Sequence, residues 1–85
     1  MLRDDQIREA NRFMKDVYNL IKRKTITQEW YTAKYHEIQK EVGGNRGRIY
    51  WAIRKLKEKG LIVVSQLESG NMVMTNSYKL NYEKE

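Results

Sequence analysis

Apolar side chains recur three and four residues apart along most of this chain, and β-favouring residues replace that pattern near its end. The first stretch predicts a helix from about Asp5 to Lys24, with Asp4 as its N-cap. Its apolar stripe comprises Ile7, Ala10, Phe13, Met14, Val17, Leu20 and Ile21. A stripe of this width packs against its own domain or against a second copy of the chain, and the pattern allows both.

A second helix is indicated by four residues that share one helical face, Tyr31, Tyr35, Ile38 and Val42. Its start is open, because it begins at Thr27 or is divided by a break near Thr32. The β-branched segment Thr25-Ile26-Thr27 is then a connector or a strand of a single bridge. Gly43-Gly44 ends the helix, since glycine readily takes the left-handed conformation that a helix stop requires.

The third helix is predicted from Arg46 to Lys59, with Asn45 as its N-cap and Gly60 as its stop. Its core face consists of four apolar residues at helical spacing, Ile49, Ala52, Ile53 and Leu56.

Beyond Gly60, two β-rich segments flank a turn, which predicts an antiparallel hairpin. The segments are Leu61 to Leu67 and Met72 to Leu80, and the turn is Glu68-Ser69-Gly70-Asn71. Because a lone hairpin is marginal in water, it must pack on the helices. The candidates for that packed face are Val63, Leu67, Val73, Tyr78 and Leu80.

With 85 residues and no cysteine, the chain is expected to form one domain, 1–85, with frayed ends at 1–3 and 83–85. The absence of cysteine excludes disulfides, thiol nucleophiles and thiolate metal sites. His36 has no credible second metal ligand, and no phosphate-cradling glycine motif is present. We therefore expect no enzyme activity, metal, cofactor or small-molecule ligand. Lacking a long apolar run or a signal core, the chain is expected in the cytoplasm, away from membranes.

Positive charge is concentrated on the third helix. Residues 46–59 hold six Lys or Arg against one acid, which leaves +5 of the chain's net +6. With a pI near 9.7, this clustering indicates a polyanionic partner, nucleic acid before a membrane surface.

The stretch from Ile38 to Ile62 joins two helices through Gly43-Gly44 and closes with Leu56-Lys57-Glu58-Lys59-Gly60-Leu61-Ile62. It resembles a winged helix-turn-helix domain. Thr75-Asn76-Ser77-Tyr78-Lys79-Leu80 is similar to the last strand of such domains in phage and plasmid replication initiators and small transcriptional regulators. The resemblance covers about residues 5–82 and implies an α+β fold of three helices followed by a C-terminal β-hairpin wing. It further implies that residues 45–59 form a recognition helix for double-stranded DNA.

The length and the hydrogen-bonding groups of the side chains suggest roles for eight residues of that helix. We expect Arg46 and Tyr50 to read base edges, because arginine bonds guanine bidentately in the major groove, and Arg54 lies on the same side. Gly47 permits close approach, and Asn45 caps the helix and is available to a phosphate. Arg48 and Lys55 are expected to hold phosphates. The predicted DNA-binding set is Asn45, Arg46, Gly47, Arg48, Tyr50, Trp51, Arg54 and Lys55.

Trp51 lies outside the periodic core face, and three roles are open to it. It contacts sugar and base edges, covers a neighbouring helix, or joins a protein interface. The predicted wing tip, residues 66–71, carries an acid and no cation, which departs from the basic wing common in this family.

The favoured hypothesis is a sequence-specific binder of double-stranded DNA, acting as a small transcriptional regulator. A homodimer through the first helix is expected, since a twofold site doubles a small set of base contacts. The alternatives are a replication-origin binding protein and a protein-interaction module of the same fold without DNA binding. RNA binding is permitted by the mixture of aromatic and basic residues, but nothing selects it.

Overall fold

The computed structural model describes residues 4–67 and 75–82 of the chain, and the side chains of residues 8–65 and 76–82. These residues form a small α+β domain of three helices and a three-stranded antiparallel sheet. In chain order the elements are α1 (Asp4–Lys24), β1 (Tyr31–Ala33), α2 (Tyr35–Val42), α3 (Arg46–Glu58), β2 (Ile62–Leu67) and β3 (Thr75–Leu80). The predicted turn at Glu68–Asn71, the segment 72–74 and the predicted frayed ends lie outside the described residues.

The position of β1 corrects the predicted order of three helices followed by all the strands. β1 lies between α1 and α2 and pairs with β3, with Tyr31 opposite Tyr78 and Ala33 opposite Asn76. Tyr31 therefore belongs to a strand, and α2 begins at Tyr35 rather than at Thr27. Residues 25–27 form a connector. The prediction failed here because a spacing of four residues between two tyrosines is compatible with a helix until a partner strand is known.

The sheet has the order β1-β3-β2, and its register determines which side chains face the helices. Ile62 lies opposite Leu80 and both are buried, whereas Val63 lies opposite Lys79 and is 36% exposed. The prediction that Val63 packs inward is wrong, because successive strand residues point to opposite faces. The inward positions of Tyr78 and Leu80 are confirmed. Side chains of Leu67 and Val73 lie outside the described residues.

The core forms where α1 and α3 meet the inner face of the sheet. From α1 it takes Phe13, Val17, Leu20 and Ile21, and from α3 it takes the whole predicted core face. Tyr78 of β3 is fully buried among them. The described residues of the α1 stripe therefore pack within their own domain. This burial holds α3 against the body of the protein and leaves its basic side outward.

The turn between α2 and α3 brings the start of α3 close to α1. Gly43 and Gly44 have φ values of 77° and 76°, a left-handed conformation that glycine adopts without steric cost. A Cβ on Gly44 would lie only 2.9 Å from Cε2 of Phe13. The predicted glycine stop is confirmed, and the packing against Phe13 gives Gly44 a second reason to lack a side chain.

Asn45 caps α3 as predicted, and replacing it should cost a measurable part of the stability. The backbone N–H of Arg48 donates to Asn45 Oδ1 at 2.9 Å. Asn45→Ala should lower the free energy of unfolding by about 1 kcal/mol, because a helix N–H loses its acceptor. Urea denaturation of both proteins measures the difference. Asn45→Asp keeps the acceptor and should stay near wild type, and an equal loss in both variants would contradict this role of the cap.

Candidate nucleic-acid interface

All eight predicted site residues lie on α3 or at its N-cap, but they divide between two sides of the helix. One side carries Arg46, Tyr50 and Arg54 and faces the start of α2. The other carries Arg48 and Trp51 and faces α1. The helix thus presents two different surfaces, and α1 and α2 determine which residues belong to each.

Arg46 and Tyr50 are held by the same residue, Tyr35, at the start of α2. The guanidinium carbon of Arg46 lies 5.8 Å from the centre of the Tyr35 ring, within the range of a cation–π contact. The Tyr50 ring meets Tyr35 edge to face, with centroids 6.4 Å apart and an interplanar angle of 85°. Tyr35 therefore orients both of the residues predicted to read bases. Sequence reasoning assigned Tyr35 only to the apolar face of a helix.

Burial raises the pKa of Tyr35 above its ordinary value, although a hydrogen bond with Asn76 and the charge of Arg46 act against this effect. A phenol is neutral at physiological pH even at its ordinary pKa, so Arg46 lies over an uncharged ring.

Arg48 lies on the α1 side of α3. Its guanidinium carbon is 5.8 Å from the centre of the Phe13 ring, and Nη2 lies 3.5 Å from Oε1 of Glu9. Both charged groups are exposed, and an ion pair of this kind contributes at most about 1 kcal/mol. Arg48 is thus separated from Arg46, although only two positions divide them in the sequence.

Trp51 is half-buried and packs against the core rather than standing free in solvent. With Ala10 and Phe13 of α1 it lines an apolar pocket of about 320 Å³. Of its three predicted roles, the contact with a neighbouring helix is the one that the structure describes. The periodicity of α3 alone placed Trp51 outside the core, because it contains no information about where α1 crosses.

Arg54 and Lys55 share one acid, Glu58. Arg54 Nε lies 3.1 Å from one carboxylate oxygen of Glu58, and Lys55 Nζ lies 3.5 Å from the other. The hydrogen bond from Arg54, followed by the charge of Lys55, holds the pKa of Glu58 below its ordinary value. All three groups are exposed to solvent, so a phosphate is able to replace the carboxylate at little cost.

A groove runs between α3, the start of α2 and the sheet, with a volume of about 260 Å³. Its walls are Tyr35, Tyr50 and Val64, its exposed rim is Arg54 and Lys57, and its buried lining residues are Ile53 and Asn76. The sequence pattern did not predict that Lys57, Val64 and Asn76 line this groove, because they converge only through the pairing of β2 with β3 and the packing of both on α3.

We also searched the part of the chain that the structure describes for a metal site and for a membrane-spanning helix. His36 is exposed, and no three His, Asp or Glu side chains come together there as metal ligands would. No helix within residues 4–67 and 75–82 has the length and apolar character needed to cross a membrane.

Compared with known proteins, the chain matches no family model, no curated protein and no solved structure.

Proposed function

We propose that this protein is a winged helix-turn-helix protein that binds double-stranded DNA with α3 in the major groove. The element order supports this proposal, because a glycine turn joins α2 to a basic α3 and an antiparallel strand pair follows. The major groove of B-DNA admits an α-helix. Helix-turn-helix proteins place the N-terminal residues of the second helix of the motif against the base edges.

The observation that carries the proposal is the joint support of Arg46 and Tyr50 by Tyr35. Both side chains are exposed at the first turns of α3, and Tyr50 is 53% exposed. Because Tyr35 orients them before any ligand arrives, less side-chain entropy is lost on binding. An oriented arginine beside a tyrosine is well suited to read a guanine edge and its neighbour.

Gly47 gives independent support, because the fold itself does not require glycine there. A Cβ at this position would lie 3.4 Å from Asn45 Oδ1, an ordinary contact, and Gly47 does not have a positive φ. Glycine inside a helix is less stable than alanine by about 0.5–1 kcal/mol. An approaching DNA backbone or base edge would explain why a side chain is missing.

The remaining predicted residues surround these two readers. Arg54 extends their row by one turn, whereas Lys55 and Arg48 flank it and are placed to hold phosphates through long, exposed side chains. Asn45 caps the helix and remains exposed to a phosphate. Trp51, being half-buried against α1, contributes to this surface mainly by holding α1 beside the first turns of α3.

The proposed role is a small transcriptional regulator that acts as a homodimer, with replication-origin binding as the alternative use of the same surface. Since the described residues of the α1 stripe are occupied by the core of their own domain, the dimer would use the edge of that stripe, at Met14 and Tyr18. Twofold symmetry would double the base contacts of a short helix.

A second candidate is a protein-interaction module without DNA binding. The apolar pocket beside Trp51 favours it, because that pocket is lined mainly by apolar side chains next to an exposed surface. Such a module would bind DNA weakly, and its affinity would change little with salt concentration. A protein that contacts several phosphates instead loses affinity steeply as the salt concentration rises.

Selection of bound duplexes from a random pool tests the proposed function directly. We expect enrichment of a defined site with twofold symmetry, and a log–log salt dependence with a slope of several units. A site without symmetry would retain DNA binding and reject the homodimer. No enrichment, together with a shallow salt slope, would reject the proposal in favour of the protein-interaction module.

A further inference from the structure

The groove between α3, α2 and the sheet combines charge, apolar surface and an amide oxygen without a hydrogen-bond partner. It lies beside Tyr50 and one turn beyond Arg46, toward the C-terminal half of α3. No residue of this groove other than Tyr50 and Arg54 belongs to the surface predicted from the sequence.

Lys57 gives the groove a cation that no acid neutralises. Arg54 is bound by Glu58, whereas Lys57 has no ion-pair partner among the described residues and is exposed. Ile53 and Val64 provide apolar surface close to this charge. A ligand that fits such a lining has an anionic group joined to a less polar body, as a deoxyribose phosphate does.

Asn76 provides an independent sign that the groove accommodates a ligand. This side chain is 5% exposed, and its Nδ2 donates to Tyr78 Oη at 3.2 Å, but its Oδ1 has no hydrogen-bond partner. Buried polar atoms are almost always paired, and an unpaired one is costly. A deoxyribose phosphate within DNA carries only acceptors, so a water that donates to both Asn76 Oδ1 and a phosphate oxygen would relieve this cost.

The distribution of charge explains why DNA would be held here. No Lys or Arg occurs between Gly60 and Tyr78, so the segment that joins β2 to β3 brings no cation to the DNA. The last cations before that gap are Lys57, near the end of α3, and Lys59, which follows the helix. A cationic contact with the DNA backbone at this groove would therefore come from Arg54 or Lys57 on its rim.

We propose that this groove binds one deoxyribose phosphate unit of the DNA backbone, with the phosphate at Lys57 and the sugar against Val64. The inference rests on the proposed DNA binding. It extends the contact surface from α3 to the sheet and replaces the basic wing that the chain lacks.

The first test compares Lys57→Gln with Lys59→Gln, which removes an equal charge two residues further along, outside the groove. Binding to a selected duplex is measured over a series of salt concentrations. Lys57→Gln should weaken binding alike for all sequences and reduce the salt slope by about 0.9, the amount expected for one lost phosphate contact. Lys59→Gln should leave the slope near that of wild type.

The second test follows the side-chain amide of Asn76 by NMR as duplex is added, with the amide of the exposed Asn19 on α1 as the control. We expect the Asn76 resonances to shift and those of Asn19 to remain unchanged. Equal salt slopes for the two lysine variants with an unmoved Asn76 would overturn the inference while duplex binding stands. A wild-type protein that binds no duplex would reject the inference together with the proposed function.

A free nucleotide contains the same deoxyribose phosphate group as the DNA backbone. Binding of thymidine 5′-monophosphate to the groove tests which of the two is the ligand. Tighter binding of this mononucleotide than of duplex, with the same shift at Asn76, would overturn the assignment to the DNA backbone. Weak or absent binding of the mononucleotide, beside a clear response to duplex, would support it.

Discussion

Replacing Ile49 by alanine should lower the free energy of unfolding by about 2–5 kcal/mol. Ile49 is fully buried, and it joins the first half of α3 to the core formed with α1 and the sheet. Removing its outer carbons loses their burial and leaves a cavity that the neighbouring helices fill only in part. For a domain of this size the loss is a large share of the total stability. Chemical denaturation followed by circular dichroism measures it.

Two variants serve as controls for this loss. Ile26→Ala makes the same chemical change at a side chain that is 77% exposed, and the free energy of unfolding should change by less than about 0.5 kcal/mol. Ile49→Val removes a single methylene and should cost about 0.5–1.5 kcal/mol. If Ile49→Ala and Ile26→Ala proved equally stable, α3 would not pack through the face described above.

Replacing Arg46 by alanine should cost about 1–3 kcal/mol of DNA binding and relax the preference at one base pair of each half-site. Arg46 is exposed at the first turn of α3, is held over the Tyr35 ring, and has no acidic partner among the described residues. It therefore reaches DNA without breaking an ion pair. Binding to the selected duplex and to versions with single base changes would measure both effects.

Arg23→Ala is the matched control, since it removes the same charge from an exposed pair with Glu41, away from α3. It should weaken binding slightly and equally for every sequence. Tyr35→Leu, which removes the supporting ring, should reproduce part of the Arg46→Ala effect, whereas Tyr35→Phe, which keeps the ring, should not. An unchanged base preference in Arg46→Ala, with binding otherwise intact, would show that Arg46 does not read bases.

The first and third helices were predictable because each one repeats its own pattern over several turns. In α3 the periodic apolar face, the Asn45 cap and the glycine stop agree with one another, and the structure has all three. β1 was not predictable, because three residues are too few to distinguish a strand from part of a helix. It becomes a strand through hydrogen bonding with β3, which lies more than forty residues away.

The candidate site also combines features that the sequence predicts with features that only the tertiary structure decides. Charge clustering in the sequence predicts that α3 is the working surface. It could not separate Arg48 from Arg46, since that separation depends on where Phe13 of α1 and Tyr35 of α2 lie. Lys57 and Asn76 were not predicted, because their neighbouring residues in the sequence do not distinguish them from other surface and strand residues.

The sequence by itself determined that the first and third helices form, where the third helix begins and ends, and which element holds the positive charge. These properties depend on residues within a few positions of one another. Only the tertiary structure decided that a strand precedes α2, that Val63 faces outward and Trp51 partly inward, and that Tyr35 joins Arg46 to Tyr50. Those outcomes depend on which surfaces pack together although they are far apart in the sequence, and a local sequence pattern does not specify which distant segment it packs against.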